Sequence, residues 1–158
     1  MRVEIDQSGK IENTSQDTII AFTNGVRKTI KITARDKRIL QSRFREKYQS
    51  RLYVYRTFTA LIYLLVRDHL QQISILVIDI EYEGREKSLK EMILEYIRKD
   101  GKNEPTIDFR RIGNRPPVHV LAYSTFTKKL KPDMIARWNE VAFYAIKKDR
   151  GLKKLKDI

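Results

Sequence analysis

The sequence predicts an α/β domain built on a mixed sheet flanked by helices, and three observations predict it. Ile73 to Glu83 (ISILVIDIEYE) is an apolar, β-branched run that acquires carboxylates only at its end. Two strand-like runs, Thr18 to Thr23 and Val26 to Thr33, are joined by Asn24-Gly25, the residue pair that a tight hairpin turn favours. Apolar residues then recur at helical spacing over Ala34 to Leu70 and again over Glu86 to Lys99.

Each element follows from its own pattern. Arg2 to Asp6 alternates apolar and charged residues as a strand does, and Ser8-Gly9 ends it. With the hairpin it makes an antiparallel meander of three strands. Ala34 to Leu70 contains no Gly or Pro, so it reads as one long helix or two abutting ones, with Gln49-Ser50 the weakest place. The run from Ile73 is apolar on both faces, as expected of a central strand covered by helices on either side. Gly84 breaks it, and the helix from Glu86 ends before Asp100-Gly101, which gives a right-handed crossover. Thr106 to Ile112 supplies a fifth strand. Val118 to Tyr123 is either a sixth strand or the start of a helix, and Pro132-Asp133 opens a last helix reaching Lys147. Residues 1–148 thus read as a single domain, with 149–158 a basic, mobile tail.

Charge and composition narrow the partners. Among 158 residues, 33 are Lys or Arg and 20 are Asp or Glu, a net charge of +13. This excess favours a polyanion, nucleic acid first and an anionic membrane surface second. The absence of cysteine excludes disulfides, thiolate nucleophiles and cysteine-held metals, and leans to a cytoplasmic setting. The most apolar segment, Leu52 to Val66, is too short to span a bilayer and carries Arg56, so no transmembrane segment is expected. Abundant Lys, Arg, Glu and Ile make a thermophile-like composition. No Gly-rich phosphate loop is present.

The candidate site residues fall into two groups. Asp79, Glu81 and Glu83 alternate along the exit of the central strand, the end where ligands of open α/β sheets gather, and Asp6 closes the first strand. A strand-end bulge would exchange Asp79 and Glu81, so the two are not ranked. For phosphate contact the candidates are Arg35, Lys37 and Arg38 on the first helix, Arg110, Arg111 and Arg115 around the GNRPP turn, and Lys128 and Lys129. Tyr48, Tyr53 and Tyr55 could stack bases, though their apolar stripe favours the core. His119, lone among apolar residues, reads as structural.

Taken in this order, the elements resemble the ribonuclease H-like superfamily over nearly the whole chain, closest to its nuclease and resolvase-like branch. The resemblance implies that the first and fourth strands lie side by side, bringing Asp6 of VEIDQSGKI to Asp79 and Glu81 of VIDIEYEG. It also implies a third acid from the last helix, where Asp133 or Glu140 matches, while the first helix offers only Glu46 in place of the glutamate that ribonucleases H themselves use. Converging carboxylates of this kind suit a two-metal Mg or Mn site. The expectation is a metal-dependent nuclease acting on structured or hybrid nucleic acid. Resolvases pair to cut two strands, so the resemblance implies a homodimer too. The alternative is a non-catalytic nucleic-acid-binding module on the same fold.

Overall fold

The computed structural model describes residues 1–24, 26–113 and 116–148; the turn residue Gly25, the candidate Arg115 and the tail 149–158 lie outside the described residues. Strands β1 (Arg2–Ser8), β2 (Thr18–Asn24) and β3 (Val26–Ile32) form the expected antiparallel meander, with Asp6 opposite Ala21 and Ala21 opposite Thr29. Strand β4 (Ile75–Asp79) runs parallel to β1 with Ile5 level with Ile78, and β5 (Thr106–Arg110) runs parallel to β4. Five strands were expected. A sixth, β6 (Met134–Ile135), pairs with β3, so the sheet order is β5-β4-β1-β2-β3-β6.

The helices are α1 (Ala34–Glu46), α2 (Tyr53–Val66), α3 (Glu86–Lys99), α4 (Pro117–Phe126) and α5 (Trp138–Ala145). Thr33 begins α1 because its hydroxyl accepts the Asp36 N–H at 3.1 Å, the N-cap bond that satisfies one orphan donor. The long helical stretch divides in two. Tyr48 takes a φ of 58°, and a 3-10 turn at Ser50–Leu52 leads into α2, so the break falls where the sequence is weakest.

Helix α2 is buried nearly all round, since α3, α5 and the sheet surround it. In its first turn the fully buried Arg56 donates to the carbonyls of Tyr144 and Ala145 and pairs with Glu95 at 2.6 Å, tying α2 to α5 and α3. Replacing Arg56 by Leu strands two buried carbonyls. We expect Arg56→Leu to cost about 2–4 kcal/mol, read as a lower urea midpoint.

Among the described residues, the other face of the sheet carries α4 alone. Pro117 at the first helical position settles Val118 to Tyr123 as helix rather than strand. Val118, Leu121 and Ala122 pack over Ala21 of β2, forming a small core separate from the main one. The end of α4 seats closely on the turn after β1, where a Cβ on Gly9 would lie 2.7 Å from the Phe126 ring and 2.3 Å from the Asp17 carbonyl. Gly9, at φ +81°, leaves that space.

The last helix starts later than the Pro132-Asp133 signal predicts. Met134 and Ile135 are extended against β3, and Asp133 uses its carboxylate on β3 instead of capping a helix. The Asp36 carboxylate receives the Trp138 N–H at 3.0 Å and helps fix the start of α5 there. Among the described residues, no helix is long and apolar enough to cross a membrane.

Candidate metal centre

Alternation along β1 sends Val3 and Ile5 into the main core and Asp6 to the side covered by α4, where its strand partner Ala21 leaves room. The parallel register of β4, with Ile5 level with Ile78, brings Asp79 alongside Asp6 on that same face. The strand ends at Asp79 and the chain bends, yet Glu81 turns back to them. One carboxylate oxygen from each of Asp6, Asp79 and Glu81 lies within 4.8 Å of the other two.

Each acid is held differently. Asp6, only 3% exposed, receives its neighbour's Gln7 N–H on Oδ1 at 2.8 Å and meets His119 Nδ1 with Oδ2 at 2.8 Å. Asp79 receives the Ile112 N–H at 2.7 Å, which anchors the segment after β5 to the site. Among the described residues, Glu81 has no such donor. Burial, followed by repulsion from Asp6 and Asp79, pushes its carboxyl up to about 8. Burial also raises Asp6, with Asp79 adding to the rise, while His119 and the Gln7 N–H work against it. Three carboxylates that cannot all ionise cheaply make a hard, all-oxygen donor set, the chemistry that Mg²⁺ and Mn²⁺ accept.

Compared with known families, curated proteins and solved structures, the chain matches none.

The remaining sequence candidates separate by place. Asp133 is not brought to the cluster: its carboxylate receives the Thr29 N–H at 2.9 Å on β3, two strand spacings, about 10 Å, from Asp6. Glu140 accepts the Arg137 N–H at 3.0 Å at the start of α5, and Glu46 is exposed beside Arg43. Glu83 is exposed too, pairing with Arg111. Lys37 is a correction. It is fully buried and its ammonium donates to the carbonyls of Lys10 and Asn13 and the Thr18 hydroxyl, so it braces the loop after β1 and meets no phosphate. Burial lowers it to about 8.

Arg35 and Arg38 are exposed on α1, with Arg38 donating to the Thr14 carbonyl at 2.9 Å. Lys128 and Lys129 are exposed in the turn that follows α4. Arg110 and Arg111 line a groove of about 580 Å³ on the α4 side of the sheet, together with Arg2. Tyr53 is core and Tyr55 packs against it; Tyr48 is 93% exposed.

Sequence reasoning missed His119, which is 31% exposed and lies against Asp6. Pro116-Pro117 carried the one signal that could have found it, because a helix starting there puts His119 in its first turn.

Proposed function

We propose that this chain is a metal-dependent nuclease that hydrolyses phosphodiester bonds in structured or hybrid nucleic acid, on a ribonuclease H-like fold. The observation that carries the reading is the convergence of Asp6 and Asp79 from adjacent parallel strands with Glu81 from the bend just after the second. The sheet order, with β1 between β2 and β4 and β5 outermost, supports the fold assignment. The net charge of +13 supports a polyanionic substrate.

Asp6, Asp79 and Glu81 would hold the ion or ions. A bound divalent cation supplies Lewis acidity and a water acidified enough to attack phosphorus. The chain's own residues set the stage for that chemistry. His119 fixes the Asp6 carboxylate and the Ile112 N–H fixes that of Asp79, while Glu81 has no such anchor among the described residues. A proton held on Glu81 near neutrality relieves the repulsion until a cation replaces it.

The test is cleavage of labelled single-stranded, duplex, RNA–DNA hybrid and four-way-junction substrates with Mg²⁺ or Mn²⁺. We expect cleavage of at least one of them, with complete loss in EDTA. Cleavage that survives EDTA, or none with either metal, sinks the reading.

One observation favours a second reading. Neither Asp133 nor Glu140 joins the cluster, so the acid expected from the last helix is missing and a non-catalytic nucleic-acid-binding module is the alternative. Salt-dependent binding without cleavage under any metal condition selects it.

A further inference from the structure

The groove lined by Arg2, Arg110 and Arg111 lies on the same face of the sheet as the acidic cluster. Glu4 and Val77, also in its wall, each sit two residues before a cluster acid, Asp6 or Asp79, on the same two strands. They therefore share the face of the acids, about 6.7 Å back along the strands. Pro116 and Pro117, at the head of α4, close the groove on its other side. Along α4 the sequence then passes His119, at the acids, and Tyr123, one helical turn further on. The Tyr123 ring is 52% exposed and nearly parallel to that of His119, at an interplanar angle of 9° with centroids 6.4 Å apart. Cations, carboxylates and an exposed aromatic face thus follow one another beside a single helix.

Resting on the metal-dependent nuclease reading, and narrowing its structured substrates to those that present an unpaired stretch, we infer that the cut strand is engaged single and unpaired, its backbone in the Arg2–Arg110–Arg111 groove and the base beyond the cut on Tyr123. Volume is the first argument. About 580 Å³ is a small-ligand volume, with room for a nucleotide or so of one strand. Stacking is the second: an exposed aromatic face takes any base, provided that base is not already stacked in a helix.

Charge is the third. Among the described residues of the groove wall, three guanidiniums face one carboxylate, Glu4. Arg110 pairs with Asp108 at 2.7 Å and Arg111 pairs with Glu83, but all four side chains are exposed. Exposed pairs of this kind are weak, so their guanidiniums transfer readily to a phosphate, which their fork fits.

The test is fluorescence anisotropy in Ca²⁺ with a labelled single strand, as DNA and as RNA, against the blunt duplex of the same sequence. Cleavage of the same oligonucleotides is followed separately in Mg²⁺ and Mn²⁺. We expect the single strand to bind more tightly than the duplex. Tyr123→Ala should weaken it about tenfold, the effect of removing one base stack, while Tyr123→Phe keeps the affinity. Replacing both Arg110 and Arg111 by Ala should flatten the logarithmic salt slope by about 1.4, or 0.7 for each phosphate no longer neutralised. Equal or tighter duplex binding, or a Tyr123→Ala protein that binds like the native one, overturns the inference. Single-strand preference without cleavage keeps it and removes the nuclease, whereas cleavage with duplex preference does the reverse.

Discussion

Asp6→Asn is expected to lower metal-dependent cleavage by at least about 10³-fold while nucleic-acid binding persists. Asp6 is the most buried of the three acids and the one that also holds His119. Exchanging one carboxylate oxygen for an amide keeps the shape but removes the charge that would hold a cation. Metal-derived stabilisation of the reacting phosphate is worth several kcal/mol, and each 1.36 kcal/mol is tenfold in rate, which sets the size of the loss. Misfolding would not explain it. Burial and the nearby Asp79 already raise the Asp6 pKa, so a neutral side chain there removes an unfavourable charge and the melting temperature should hold or rise.

His119→Ala is the companion variant. His119 meets the Asp6 carboxylate and acts by orienting it, so its loss should cost about 10–100-fold, the usual effect of removing a partner that orients a metal ligand. The measurements are single-turnover rates in Mg²⁺ beside melts of each variant. An Asp6→Asn protein retaining more than a tenth of the native rate would place the chemistry elsewhere.

Much of this arrangement was legible in the sequence, and the parts that were not share a physical cause. Alternation and helical spacing are local, and they located the meander, the crossover helix α3 and the acids of β1 and β4. The break between α1 and α2 was visible as the absence of apolar support around Gln49-Ser50. What failed was anything decided by a distant partner. Pro132-Asp133 carries a sound local signal for a helix start, but Asp133 finds the backbone N–H of Thr29 and the chain stays extended as β6. Lys37 looks like one more cation on a basic face until the loop after β1 folds over it and offers two carbonyls. His119 meets Asp6 from 113 residues away, across a helix whose own pattern was ambiguous. Strand pairing brought Asp6 to Asp79, a juxtaposition that the resemblance implied and that spacing alone could not supply.

Adding Mg²⁺ or Mn²⁺ is expected to raise the melting temperature more at pH 8 than at pH 6, and Glu81→Gln should blunt this difference. An unfolded Glu81 loses its proton near 4.5, whereas the folded one, buried against Asp6 and Asp79, keeps it to about 8. Between those values the folded state holds the extra proton, so stability is highest below about 4.5 and falls as pH rises through 8. In mid-window the slope approaches that of one proton. Asp6, also raised, adds to the decline.

Lys37 acts outside this window. Lowered from 10.5 to about 8, it makes stability rise with pH only above 8. Glu81→Gln cannot ionise, so the metal-free variant should melt higher than the native protein at pH 8 and show a shallower decline on the way there. A cation does for the native protein what the proton does at lower pH, and the two compete. At a concentration about 100-fold above its dissociation constant it contributes about 2.7 kcal/mol, or roughly 5–10 °C for a chain of this size. At pH 6 the proton on Glu81 opposes that gain. Melts at the two pH values, with and without metal, decide the matter: a metal effect that is equal at both pH values, or undiminished in Glu81→Gln, would remove Glu81 from the centre and leave Asp6 and Asp79 as its protein ligands among the described residues.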